Sequence, residues 1–163
     1  MATHKLLYDD EMEDPFSLVA IHCSEEDYKL AYLLNQFLNT KFKRSKKDLD
    51  FSSDGKIILF PLYAYEDLKE YNSFYLVANK CKMMEASLQS SGGLFSESVS
   101  EKATTHYLLP EMKNVDYFLK IQTDYGSFPI ESLISEINKI KQIISAYFVE
   151  TEKIKSKNNL IFD

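Results

Sequence analysis

LPEMKNVDY, residues 109–117, is the stretch around which this chain is organised. A strand-like apolar run ends just before Pro110, and a second strand-like run begins at Val115. Proline fixes its own φ and has no amide hydrogen to donate, so the first strand must stop there. Two carboxylates, Glu111 and Asp116, lie within the same nine residues. We therefore predict a hairpin whose connection combines special backbone chemistry with two ionisable groups.

The stretch resembles the signature of the bacterial IPExxxVDY family, with leucine at 109 where the family has isoleucine. Further similarity lies in DYKLA (27–31), in the following Leu34-Asn35, and in KSKNNLIF (155–162), so the resemblance spans most of the chain. It implies no activity, ligand or catalytic residue. The signature residues, taken as structural or binding positions, are Pro110, Glu111, Val115, Asp116 and Tyr117.

Size and composition favour one folded domain over residues 1–163. An apolar fraction of 45% is ordinary for a globular protein. The net charge of −6 disfavours nonspecific binding to nucleic acid or to anionic membranes. Only Arg44 among the 19 basic residues is an arginine, although forked recognition of phosphate or guanine favours that side chain. We predict a protein that does not bind membranes, and the charge and arginine content argue against a nucleic-acid partner.

Localisation follows from the cysteines and the N-terminus. Cys23 and Cys81 are far apart and form no disulfide framework, which suits a reducing compartment. No signal-peptide pattern and no run of apolar residues long enough for a membrane span is present. We therefore predict a cytoplasmic protein.

Hydrophobic periodicity predicts two helices. Ser24 precedes acidic residues and an apolar stripe through Leu30, Leu33, Leu34 and Phe37, which indicates a capped helix ending near Asn39. Pro129 is placed to open a second helix, whose isoleucine-rich stripe continues to Ile144. Two helices are too few to connect every pair of strands. We predict an α+β fold: a mainly antiparallel sheet with both amphipathic helices packed on one face.

Strand patterns account for most of the remaining chain. Phe16–Cys23 is apolar on both alternations, as in an interior strand. An Asp-Gly turn between two apolar runs predicts a hairpin around 52–55, and Pro61 predicts an edge or a bulge. The Ser- and Gly-rich stretch at about 87–101 is predicted to be a mobile loop. The other predicted strands are Lys5–Tyr8, Phe74–Ala78, Thr104–Leu109, Val115–Gln122 and Ala146–Val149.

Two charged runs have alternative interpretations. Five carboxylates between Asp9 and Asp14 form a solvated connection or gather a hard cation, but they lack the spacing of a calcium loop. The basic run from Lys41 to Lys47 is a solvated helix exit or a phosphate contact. No glycine-rich phosphate cradle accompanies it. We predict no metal and no cofactor.

Candidate catalytic groups are few. His22 and Cys23 are adjacent in a strand and point to opposite faces, so a Cys-His pair would need His4 or His106 brought to Cys23 by the fold. Glu111 and Asp116 form the one carboxylate pair considered for acid–base chemistry, with a structural role as the alternative.

The sequence favours a non-catalytic protein-interaction or accessory domain. The 11 tyrosines and 11 phenylalanines belong to residue types that are enriched at interfaces. The expected partner is a second copy or another cytosolic protein, bound through an exposed strand edge or an open outer face of the sheet. The alternative is a small-molecule-binding domain or enzyme with its pocket beside residues 109–117.

Overall fold

A computed structural model describes residues 15–53, 55–88 and 99–162. The predicted strand at Lys5–Tyr8, His4 and the acidic cluster at 9–14 lie outside the described residues, as does most of the predicted loop. The elements in chain order are β1 Phe16–Cys23, α1 Asp27–Leu38, β2 Lys43–Arg44, β3 Leu49–Ser53, β4 Lys56–Phe60, β5 Leu62–Asp67, β6 Asn72–Ala78, β7 Lys80–Leu88, β8 Val99–Tyr107, β9 Tyr117–Thr123, α2 Ile130–Asn138 and β10 Ile143–Val149.

Six strands form one antiparallel sheet in the order β10-β1-β9-β6-β5-β2. The pairs β3–β4 and β7–β8 form separate two-stranded sheets. This architecture confirms the predicted α+β class with a mainly antiparallel sheet. The predicted interior strand is also confirmed, because β1 lies between β10 and β9 and contributes side chains to both cores.

Both helices pack on the same face of the sheet, as predicted. Leu30, Leu33 and Leu34 of α1 and Ile137 of α2 join one buried cluster with Val19 and other strand residues. The ends of both helices differ from the predicted ones. Residue Glu26 precedes the first turn of α1 without a side-chain cap, so the prediction of a cap at residue 24 is wrong. The second helix ends at residue 138, and its predicted stripe is cut short because residues 143–149 form β10.

The other face of the sheet is covered by the chain itself. Leu18, Ala20 and Phe118 of the sheet lie in a second buried cluster. Their cover comes from the β3–β4 hairpin, the segment around the signature and the C-terminal segment, through Ile58, Phe60, Leu108, Leu109, Val115, Ile154 and Leu160. The expectation of an open outer face is therefore wrong. A hairpin and irregular segments cover this face, and no helical periodicity in the sequence predicts this cover.

A lysine in β9 anchors the C-terminal segment to this face. Lys120 is buried, and its Nζ donates a hydrogen bond to the Leu160 carbonyl at 2.6 Å. The same Nζ lies 4.6 Å from the ring centre of Phe16 and 5.0 Å from that of Phe162. The ammonium group is therefore held by a carbonyl and two aromatic faces, an arrangement that stabilises a desolvated cation.

The prediction that the signature connects the two strands of a hairpin is wrong. The strands on either side of the signature do not pair, since β8 pairs with β7 while β9 lies between β1 and β6. The β7–β8 hairpin also reaches into the predicted loop, so residues 87–88 and 99–101 are strand. The short 3-10 helix Pro110–Met112 carries the chain from one sheet to the other.

Both edges of the main sheet are protected. At one edge, the Asn138 side chain accepts a hydrogen bond from the Ala146 amide at 2.8 Å and donates one to the Ala146 carbonyl at 2.9 Å. Ala146 is thus one position of β10 whose backbone groups are already bonded. At the other edge, β2 consists only of Lys43 and Arg44. Short, charged or covered edges discourage pairing with another sheet.

Candidate functional site

The signature is organised by a buried asparagine that sequence analysis missed. Asn79 lies between β6 and β7 and is 0% exposed. Its Nδ2 donates to the carbonyls of Met112 (2.8 Å) and Val115 (2.9 Å), and its Oδ1 accepts from the Leu109 amide at 2.8 Å. Every hydrogen-bonding group of this side chain is directed at the signature segment or its edge. The contact partners lie 30–36 residues away, so no local pattern marks this residue.

Glu111 binds the C-terminal segment. One carboxylate oxygen accepts from the Ser156 amide at 2.8 Å, and the other accepts from the Ser156 hydroxyl at 3.0 Å. Burial acts to raise the pKa of Glu111, but hydrogen bonds from Ser156 and from the backbone of Glu111 and Lys155 together outweigh it, and the pKa lies below its ordinary value. The ionised carboxylate therefore holds the C-terminal segment against the signature.

Asp116 joins the ends of two other strands. Its Oδ2 accepts from the Cys23 amide at 3.0 Å, where β1 ends, and its Oδ1 lies 2.8 Å from Lys80 Nζ at the start of β7. The two signature carboxylates thus have separate partners. The structure does not give them a shared proton or a shared ligand.

The remaining signature residues serve packing and anchoring. Val115 is buried in the second cluster, while Pro110 is exposed at the first position of the 3-10 helix. Tyr117 is mostly buried, and its hydroxyl donates to the Glu25 carbonyl at 2.5 Å, just before α1. Burial raises the pKa of this phenol, so it stays protonated.

Cysteine and histidine do not form an activated nucleophile in the described residues. Burial raises the pKa of the Cys23 thiol, whose Sγ donates to the Gln142 carbonyl at 3.4 Å. A cross-strand pair that sequence analysis missed, Cys81 and His106, sits in β7–β8, but burial also raises the pKa of Cys81. A nucleophilic cysteine needs the opposite shift. The described residues also contain no group of three or more His, Cys, Asp or Glu side chains placed to hold a metal ion.

A large groove lies at the far end of β9 from the signature. It has a volume of about 1000 Å³ and is bounded by the end of α1, the start of α2 and the β5–β6 turn. Large apolar side chains are exposed along it: Leu68 is 77% exposed and Tyr125 is 75% exposed, and Phe37 is also exposed. Phe37 was predicted to face the core with the rest of its stripe, and that prediction is wrong.

The rim of the groove is acidic. Four carboxylates, Glu66, Asp67, Glu70 and Glu136, line it together with two lysines, Lys41 and Lys69. Asp67 accepts from the Lys69 amide at 3.0 Å and so shapes the turn, while Glu66 and Glu70 are exposed. The groove therefore combines apolar surface with an excess of negative charge. We call it the acidic groove.

Tyr71, which contacts Tyr125 of the acidic groove, has a strained backbone conformation. Its φ of 54° is in the left-handed region, which side chains with a Cβ adopt at a cost of about 1 kcal/mol. Its ring meets that of Tyr125 edge to face, with centroids 5.5 Å apart. Glycine would be the stable residue at this turn position. A local sequence cue did exist, since Leu68 and Tyr71 are large apolar residues inside an otherwise polar connection.

No helix within 15–53, 55–88 and 99–162 is long and apolar enough to cross a membrane. Comparison of the chain with protein-family models, with curated proteins and with solved structures gave no match. The IPExxxVDY resemblance therefore remains a prediction from the sequence, and the acidic groove is interpreted from its geometry.

Proposed function

We propose that this protein is a non-catalytic interaction domain that binds a protein segment in the acidic groove. The observation that carries the proposal is that Phe37, Leu68 and Tyr125, all exposed, line one groove, with the exposed Tyr71 in ring contact with Tyr125. Clustered exposed apolar side chains mark interaction sites, and tyrosine is among the residues that dominate interface energetics.

The strained tyrosine supports the same proposal. A residue held in the left-handed region persists when its side chain is worth more than the strain costs. Within the described structure, the Tyr71 ring contacts Tyr125, which is itself largely exposed, so this pair adds little to the buried core. Its value is better explained by a partner that covers both rings.

The chemistry of the groove specifies the partner segment. The exposed apolar side chains of the groove favour an aliphatic or aromatic residue, and the exposed carboxylates Glu66 and Glu70 favour lysine or arginine beside it. Glu136, in contrast, is already paired with Lys139. We expect a basic segment with exposed apolar residues. The rim charges would mainly increase the association rate and its sensitivity to salt.

The alternative of a small-molecule pocket beside the signature has less support. The acidic groove adjoins Thr123, at the end of β9, whereas the signature precedes the start of that strand. The signature carboxylates are already engaged with Ser156, Cys23 and Lys80.

Site-specific photo-crosslinking tests the proposal. A photoreactive amino acid is placed at residue 68 in the groove and, as the matched control, at Ile144, which is 71% exposed in β10. In native cells we expect one defined protein adduct from position 68, lost when Tyr125→Ala is added, and no such adduct from position 144. Equal labelling from both positions, or no adduct from position 68, would contradict the proposal.

A further inference from the structure

A second surface of the protein presents basic and apolar side chains, the kinds that the acidic groove is expected to bind. Arg44, Lys46 and Lys47 line an open hollow beside the β3–β4 hairpin, with Asp48 and Asp50 as its acidic members. Lys43 is exposed next to it. Two aliphatic side chains of β4 complete the surface: Ile57 is 66% exposed and Leu59 is also exposed. We call this surface the basic hollow.

The basic hollow is held in shape by ordered contacts. Arg44 Nη2 lies 2.6 Å from Asp48, and its guanidinium lies 5.7 Å from the ring centre of Tyr63. Leu59 stands opposite Asp50, and Ile57 opposite Ser52, in the register of the hairpin. A preorganised surface loses less entropy on binding. The exposed Lys46 and Lys47 add positive charge beside the apolar pair.

The two surfaces are complementary in both charge and polarity. The acidic groove presents four carboxylates against two lysines around an aromatic floor, and the basic hollow presents three cations against two carboxylates around two aliphatic side chains. A chain with a net charge of −6 repels a second copy at most surfaces. Pairing the groove with the hollow is an orientation in which the charges attract.

The two surfaces come from neighbouring parts of the chain, since Lys41 lines the acidic groove and Arg44, three residues later, lines the basic hollow. In a dimer with a two-fold axis the same contact is made twice, groove to hollow and hollow to groove. The sheet edges are less suited to pairing, because Asn138 bonds the backbone of Ala146 in β10 and β2 has only two residues.

We propose that the occupant of the acidic groove is the basic hollow of a second copy, in a two-fold symmetric dimer. This inference rests on the proposed function, since it names the partner of the same groove.

Charge reversal tests the dimer in both directions. The hollow variant is K46E/K47E and the groove variant is E66K/E70K; all four side chains are exposed, and thermal melting verifies that each variant is folded. By sedimentation velocity at low salt, we expect a wild-type dimer and two monomeric variants. In an equimolar mixture, each contact pairs opposite charges again, so we expect a heterodimer.

A matched control separates the contact from net charge. K102E/K141E makes the same change in net charge as the hollow variant, at exposed lysines that line neither surface, and should remain dimeric. A monomeric wild type at the highest attainable concentration would overturn the inference, and so would a mixture of the two variants that stays monomeric.

The crosslinking experiment distinguishes the dimer proposal from the proposed interaction function. An adduct from position 68 to a second copy of this chain supports the dimer. If the adduct contains a different protein and the wild type is monomeric, the dimer is wrong and the interaction function stands. If position 68 gives no adduct, both are wrong.

Discussion

The two ends of β9 are built in opposite ways. At its start, the signature, Asn79 and the C-terminal segment form a network in which Asn79, Glu111 and Asp116 have partners inside the molecule. At its end, the acidic groove exposes aromatic side chains, and Tyr71, in contact with Tyr125 of the groove, has a strained conformation. Polar groups that are hydrogen-bonded within the chain indicate a stabilising role. Apolar groups that stay exposed, or a backbone held in a strained conformation, indicate a functional role. The conspicuous motif of this sequence thus lies at the stabilising end.

Asn79→Ala should give the largest loss of stability. It removes three buried hydrogen bonds and leaves the Leu109 amide and two carbonyls without that partner. We expect a loss of about 4 kcal/mol in the free energy of unfolding, measured by urea denaturation. Asn138→Ala is the control: it removes two part-buried hydrogen bonds made by an exposed side chain, and should cost about 1 kcal/mol. Similar losses in the two variants would remove the distinction between the two ends.

Glu111 variants test whether that carboxylate is structural. Glu111→Gln keeps one acceptor oxygen and should cost about 1 kcal/mol, whereas Glu111→Ala should cost about 2 kcal/mol. Because the folded pKa lies below the unfolded value of about 4.3, the contribution of the ionised group is complete above that value. It is lost as the pH falls through the folded pKa. The stability difference between wild type and Glu111→Gln should therefore shrink below about pH 4. A difference that stays constant down to low pH would contradict this role.

Asp116→Asn should cost about 1 kcal/mol. The amide keeps an acceptor for either the Cys23 amide or Lys80, but it loses the ion pair with the lysine. Thermal and chemical denaturation measure this loss. A catalytic pair would behave differently: Glu111→Gln and Asp116→Asn would both keep wild-type stability and abolish function. Unchanged stability in both variants would thus reject the structural interpretation of the signature.

Tyr71→Gly should have the smallest effect on stability and a large effect on binding. Relief of the left-handed strain, about 1 kcal/mol, offsets the lost contact with Tyr125, so the melting temperature should be unchanged or higher. The photo-crosslink from position 68 should be lost. Phe74→Gly is the contrasting variant, because Phe74 is buried in β6 and its removal should destabilise the fold. A strongly destabilised Tyr71→Gly would place this tyrosine with the structural residues.

Local patterns predicted the elements whose causes are local. The apolar run of β1 and the Asp-Gly turn between β3 and β4 needed only neighbouring residues. The cover of the second sheet face could not be predicted, because it depends on segments brought together from across the chain. β7 was missed because its sequence, KCKMMEASL, mixes charged and apolar residues without the β-branched or aromatic enrichment typical of strands.

For the candidate site, the sequence predicted the types of residue involved but not their location. Abundant tyrosine and phenylalanine suggested an interaction surface, but their exposure depends on three chain segments that meet at the end of the sheet. The signature drew attention to Glu111 and Asp116, while Asn79, their organising neighbour, gave no local signal. Sequence therefore located the buried network better than the exposed groove.

The two hydrogen bonds from Asn138 to Ala146 have a consequence for how the protein behaves at high concentration. They occupy the amide and carbonyl of one residue at which a seventh strand would pair. The bonded residue Ala146 belongs to IISAYFV (143–149), an uncharged stretch without proline whose composition is typical of cross-β spines. Removing the side-chain amide of Asn138 would leave the native fold largely intact and would expose the edge of β10 as a template for fibril growth. Its loss should shorten the lag time of fibril formation far more than it lowers the melting temperature.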